Sequence, residues 1–424
     1  MLLKFNSSNP YLLDILYKNP NTDLGLYLKP LKNGVIVGNA VDAHHYEVVF
    51  QDTKYSFLQD ETQLDFQSYC NPSVVLHILS ELFLHLLVDK NVYFEKEVSW
   101  LSKKHQDIDN QVLTIDVPNI YLDSNWFNER GFLLSKYLPQ VRMEHQIGNN
   151  YSLHIEGKTV FEAMNLLAIT ACFIDITNTF KTTWLTEDWY VKYVRILTNV
   201  ANVPYFVFYL FIKRCIKSPK VFEMVKPTLE NYFKNDVVKF VFTDTHQTRK
   251  DNIFNVLGCD FPIIDVGCGE LQYYKMFAGK GFSKNYYAID RDENVVFLVE
   301  KLQKNGADKL EFFNDIAVCD VSEKVNIIIS EVIEHNTLDD TKAILETVKK
   351  YNFNKIIITT PNRAFNTHYS MSSAFRRDDH VYEMDSDEFN SLITNTFEGF
   401  EIEISQIGDS INGVSPTQMA VIKN

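Results

Sequence analysis

The amino-acid sequence predicts an α/β chain, with a parallel-sheet domain at the C-terminal end and an α+β region before it. Two observations carry this. Beyond residue 240, short apolar runs alternate with helical stretches, at Pro262–Val266, Tyr286–Ile289, Val325–Ile329 and Lys355–Thr359. That rhythm is the signature of a parallel sheet covered by helices on both faces. The chain also has 424 residues, too many for one ordinary hydrophobic core.

The N-terminal elements follow in order. Asn33-Gly34 marks a turn before the strand-like run Val35–Val37, and Tyr46–Phe50 is a second strand. Pro72 opens an apolar helix through Leu87. Thr159–Phe173, Asp188–Val200 and Tyr205–Cys215 read as helices whose aromatic-rich faces suit core packing. The polar segment Leu229–Val256 holds the boundary, giving an N-terminal region of 1–240 and a C-terminal domain of 241–424.

Composition narrows the function classes. Hydrophobic residues make up 46% and charged residues 23%, which excludes disorder as the default. The formal net charge is −14, and the stretch Leu257–Asn424 holds 16 Lys+Arg against 27 Asp+Glu. Such a domain does not hold nucleic acid by bulk attraction; its carboxylates suit a cation better. The six cysteines (Cys70, Cys172, Cys215, Cys259, Cys268, Cys319) show no C-x-x-C spacing. That argues against a zinc ribbon or a disulfide framework and for a reducing compartment. The start Met-Leu-Leu-Lys-Phe-Asn lacks an apolar signal region. The apolar run Val203–Ile212 contains Pro204 and is too short to span a bilayer, so a cytoplasmic protein is expected.

Phe261-Pro-Ile-Ile-Asp-Val-Gly-Cys-Gly-Glu270 is a strand running into a Gly-x-Gly loop. Glycine there lets backbone approach a ligand closely. A full phosphate fingerprint would add a third Gly, but Leu271 and Gln272 follow, which suits a ligand without pyrophosphate. Alone, Gly267 and Gly269 are equally well a structural turn. Asn285–Asp290 then ends a second strand in an acid, placed to accept hydrogen bonds from ribose hydroxyls. Together these read as a Rossmann-like nucleoside site, and Asp-x-Gly-x-Gly is what class I S-adenosylmethionine methyltransferases usually show. Asp315 could meet an adenine amino group, or could be a helix cap or surface acid.

Val325–His335 ends a buried strand in Glu331, Glu334 and His335. If the chain turns helical there, these three share one face. Two carboxylates and an imidazole suit Mg²⁺ or Mn²⁺, and imidazole favours Mn²⁺. Many small-molecule methyltransferases, however, carry Glu-x-x-Glu-His here with no metal. A second segment, Lys355–Asn362 followed by Phe375-Arg-Arg-Asp-Asp-His380, offers His380 as a fourth ligand, or as an ordinary surface histidine.

These runs, with the tail Pro416-Thr-Gln-Met-Ala-Val421, resemble the bacterial 3′-terminal RNA ribose 2′-O-methyltransferases of RNA repair, relatives of the plant small-RNA methyltransferases. The resemblance implies that Glu331, Glu334, His335 and His380 bind the metal. On mechanistic grounds, His335 or His380 is the candidate catalytic base, at a nitrogen that the metal does not occupy. The resemblance also implies that Asp265, Gly267, Gly269 and Asp290 bind the cofactor; Cys268, between the two loop glycines, is a further cofactor-binding candidate. Met1-Leu-Leu, Leu16–Pro20 and Tyr151–Gly157 resemble the family's N-terminal region, which in relatives engages a polynucleotide kinase–phosphatase–ligase. One departure is Arg377, which stands where the family often has a further His. The reaction implied is metal-dependent methylation of the 2′-hydroxyl at an RNA 3′ end. Its rivals are a metal-free small-molecule methyltransferase and a vestigial scaffold of an RNA-repair complex. Fold alone separates none of the three.

Overall fold

The computed structural model describes residues 1–9, 11–16, 25–53, 70–87, 112–123, 131, 134–177, 187–199, 203–292, 294–369 and 375–424. The chain forms two compact units, Met1–Tyr232 and Phe233–Asn424.

The first unit is built on an antiparallel sheet of order β2-β3-β4-β1-β5-β7-β6. Its strands are β1 (Leu2–Ser7), β2 (Gly25–Pro30), β3 (Gly34–Asp42), β4 (His45–Asp52), β5 (Leu113–Tyr121), β6 (Val141–Ile147) and β7 (Asn150–Gly157). Alternation gives it one buried face: Leu3, Phe5, Ile115 and Val117 point inward between outward Lys4 and Asp116. The helices are α1 (Leu12–Leu16), α2 (Pro72–Leu82), α3 (Val160–Thr177), α4 (Glu187–Asn199), α5 (Tyr205–Leu210) and α6 (Pro219–Asn231). Helix α3 is long and apolar enough to cross a membrane by composition, yet 16 of its 18 residues are buried against β7, α2 and α4.

Two expected helices are corrected. Helix α2 stops at Leu82, because Phe83 leaves helical geometry and sets its ring 5.4 Å from that of Phe5; a 3₁₀ turn Leu84–Leu86 follows. Helix α5 stops at Leu210 and widens into a π turn over Phe211–Cys215. Val200, and residues 17–20 of the Leu16–Pro20 run, lie outside the described residues.

The second unit holds the expected α/β sheet, of order β11-β10-β9-β12-β13-β16-β14. Its strands are β9 (Ile263–Val266), β10 (Tyr286–Ile289), β11 (Leu310–Phe313), β12 (Val325–Ser330), β13 (Phe353–Pro361), β14 (Glu401–Ile407) and β16 (Thr417–Lys423). Strands β9 to β13 are parallel, and β16 runs antiparallel between β13 and β14. The helices are α7 (Thr245–Leu257), α8 (Gln272–Gly279), α9 (Val295–Gln303), α10 (Leu338–Val348) and α11 (Ser386–Thr396). The isoleucine run of β12 serves both faces. Ile327 and Ile329 pack with Leu345 of α10 and Ile393 of α11, while Ile328 packs with Ile253 of α7 and Phe277 of α8. A strand buried on both sides is continuously apolar for this reason.

The division precedes the expected 240/241 boundary because Val238–Lys239 (β8) pairs with Ser410–Ile411 (β15). The Val237 and Val241 N–H groups also donate to Asn412 Oδ1 and Asp409 Oδ1, both at 2.8 Å. The segment therefore belongs to the second unit.

Candidate functional site

Strand order reverses between β9 and β12, and α/β sheets bind ligands outside the carboxyl ends of strands at such a point. A cavity of about 380 Å³ opens there, lined by Gly267, Asp290, Asp315, Glu331 and His335 among others. Gly267 (φ +72°) is required by space as well as conformation: a Cβ there would lie 2.5 Å from Val332 Cγ2. Asp290 caps the loop, since its Oδ2 accepts from the Gly269 N–H at 2.8 Å and its Oδ1 from the Asp292 N–H at 2.9 Å. This fixes the carboxylate at the cavity wall with lone pairs to spare for hydroxyls. Leu271 begins α8 in the left-handed region (φ +57°), where a third loop residue bends without being glycine.

The remaining cofactor candidates divide. Asp265 is buried below the loop and accepts from the Tyr286 hydroxyl at 2.6 Å. Burial pushes its pKa up from 3.8 to about 7, against the Tyr286 hydrogen bond. Cys268 faces the apolar core with Leu271 and Phe277, and burial raises its thiol pKa. It does not line the cavity. Asp315 does, and it also caps the 3₁₀ turn Ile316–Val318 by accepting from the Ala317 N–H at 2.8 Å.

The ligand-type atoms of Glu334, His335 and His380 lie within 4.8 Å of one another. Glu331 is not in that group. The expectation that residues 331, 334 and 335 ride one helical face is corrected: the chain makes only a 3₁₀ turn, Ile333–His335, and Glu331 precedes it in the left-handed region (φ +57°). Its Oε2 pairs with Arg249 Nη1 at 2.9 Å, and its Oε1 accepts weakly from Thr359 Oγ1 at 3.3 Å. The side chain still borders the cavity.

Glu334 is 1% exposed. Its Oε2 accepts from Thr360 Oγ1 at 3.0 Å, while its buried Oε1 has no hydrogen-bond partner among the described residues. Burial first, and then neighbouring Glu331, pushes its pKa well above the usual carboxylate range. A buried acceptor without a donor is costly, and a cation beside two imidazoles would satisfy it. The donor set therefore fits a divalent ion. His335 Nδ1 lies 3.1 Å from the Asp379 carbonyl oxygen and His380 Nδ1 lies 2.5 Å from Glu383 Oε1, which leaves Nε2 of each ring for the trio. The two rings meet edge to face, with centroids 4.9 Å apart.

Sequence reasoning missed Arg249 and Glu383. Arg249 comes from α7, and nothing in its local spacing points to β12. Glu383 carries one signal, its place three residues after His380.

Residues 2–234 match the model of the Hen1 N-terminal domain family. A chain of the solved Pnkp1/Rnl/Hen1 RNA repair complex is 44% identical over 100% of both chains, with a TM-score of 0.91. The chain belongs to the Hen1 family. A second solved Pnkp1/Rnl/Hen1 complex contains a chain 45% identical over 100% of both, with a TM-score of 0.89. The methyltransferase domain of bacterial CtHen1 is 22% identical, over 43% of this chain and 100% of its own, with a TM-score of 0.37. Among curated proteins none matches. Membership of the Hen1 family agrees with the resemblance carried by the sequence motifs.

Proposed function

We propose that the chain methylates the ribose 2′-hydroxyl of the 3′-terminal nucleotide of RNA, with one divalent ion, Mn²⁺ or Mg²⁺, at Glu334, His335, His380 and, once released from Arg249, Glu331. The observation that carries this reading is His335. It lines the cavity walled by Gly267 and Asp290, and it belongs to the trio with Glu334 and His380. A methyl donor on the loop and a hydroxyl at the trio would thus be neighbours, and proximity supplies much of the rate of such transfers. A bound ion would lower the pKa of a coordinated hydroxyl and favour a terminus bearing both 2′- and 3′-hydroxyls. Asp290 would accept hydrogen bonds from the donor's ribose. With Nδ1 of both rings engaged, Nε2 of His335 or His380 takes either the ion or the hydroxyl proton, never both at once.

We further propose that the first unit docks the chain onto a polynucleotide kinase–phosphatase–ligase in the cytoplasm, on the strength of the two relatives found in Pnkp1/Rnl/Hen1 complexes. The enzymatic reading is tested with labelled S-adenosylmethionine and RNAs that differ only at the terminal ribose. Label should enter the 2′,3′-dihydroxyl RNA alone, should stop on chelation and should return with Mn²⁺. Equal labelling of a 2′-deoxy or 3′-phosphate terminus, or full activity in strong chelator, refutes it.

A further inference from the structure

Glu383 is fully buried beside His380. Its Oε1 accepts from the Arg376 backbone N–H at 2.8 Å and its Oε2 from Asn366 Nδ2 at 2.5 Å. The orientation of that amide is settled by a neighbour: Arg376 Nε donates to Asn366 Oδ1 at 2.7 Å, and a guanidinium only donates. Arg376 is anchored in turn, its Nη2 donating to the Asn362 carbonyl oxygen at 3.0 Å. Both Glu383 oxygens therefore already face obligate donors. His380 Nδ1, 2.5 Å from Oε1, meets an acceptor and must carry the hydrogen itself.

We propose that Glu383 is a positioning residue: it locks His380 as the Nδ1–H tautomer, so that the Nε2 lone pair is what His380 offers to Glu334 and His335. The inference deepens the metal reading proposed above and rests on it for its purpose. The lock itself needs no ion, because it is built from Arg376, Asn366 and Glu383 alone. A hydrogen-bonded carboxylate behind a ligating imidazole fixes both tautomer and ring orientation, and losing such a partner typically costs about 10–100-fold in metal affinity.

The test uses the full chain labelled with ¹⁵N, free of metal, at a pH where the imidazoles are neutral. Two-bond ¹⁵N–¹H correlation, assigned with His380→Ala, reads the tautomer. His380 should show Nδ1 protonated and Nε2 bare. In Glu383→Gln, whose amide can turn its NH₂ to the ring, the Nε2–H form should appear. Mn²⁺ affinity of that variant by calorimetry should fall by about 10–100-fold with the fold intact by circular dichroism. An Nε2–H signal for His380 in the unmodified protein overturns the proposal, and needs no variant to fold. So does a Glu383→Gln protein with unchanged tautomer and unchanged Mn²⁺ affinity. If the unmodified protein binds no Mn²⁺, the metal reading falls, while the His380 spectrum decides the lock separately.

Discussion

Asp265 shows how far a residue's role depends on its surroundings. In the loop motif it is one acid among several, but in the fold it is 1% exposed and accepts a hydrogen bond from the Tyr286 hydroxyl. Burial lifts its pKa from 3.8 to about 7. The fold thus favours the protonated form. The stability this contributes is complete below about pH 4 and is lost as pH rises through about 7. Asp265→Asn has no proton to lose and keeps an oxygen for Tyr286. Its melting temperature relative to the parent should therefore rise between pH 5 and pH 8 in cofactor-free protein, as calorimetric scans would show. A pH-independent difference would mean that Asp265 stays ionised throughout. Glu334 and Glu331 make the same point differently. Three residues apart and alike in type, they separate into a buried carboxylate with an oxygen unpartnered among the described residues and a half-buried one clamped by Arg249.

Among the elements, the site depends on close approach between two loops. The loop after β9 passes so near the one after β12 that Gly267 touches Val332. Gly267→Ala forces a side chain into a left-handed backbone and a 2.5 Å contact. Each such strain costs about 1–3 kcal/mol. Denaturant titration should show a loss of at least that size, together with weaker binding of S-adenosylhomocysteine; a stability within 0.5 kcal/mol of the parent, roughly the range of surface substitutions, would mean that the loops move apart freely. The segment bearing His380 is anchored by helix α11 instead. Asp385 caps it in a reciprocal box with Glu388 and also pairs with Arg363, which follows β13. Sequence patterning made β9, β10, β12 and β13 legible, because strands buried on both faces must be uniformly apolar. It did not reveal that the chain beyond β12 makes a single 3₁₀ turn. Local propensity is too weak to set the geometry of a few residues held by tertiary contacts.

Over the whole molecule, every residue of the cavity and of the trio lies in the second unit. The first unit has its own sheet, its own core helix and no group of His, Cys, Asp or Glu with metal-ligand convergence among the described residues. Residues 233–424 alone should therefore retain methyl transfer to a short RNA, measured as label incorporated per enzyme, within about tenfold of the full chain, which is about 1.4 kcal/mol in the barrier. An isolated second unit that folds by circular dichroism but transfers nothing would assign the first unit a part in catalysis.

By itself the sequence determined the chemical inventory and the order of the second unit. Gly-x-Gly after an apolar strand, an acid closing the next strand, and Glu, Glu, His and His after later strands are patterns that backbone geometry and ligand chemistry impose locally. Only the tertiary structure decided which of these groups meet. It put Glu334, His335 and His380 together, turned Glu331 to Arg249 from a helix earlier in the chain, and set Glu383 behind His380. Those pairings join residues distant along the chain or hidden in an unremarkable turn. Burial and competition for hydrogen-bond partners select them, and neither is visible until the sheet has closed.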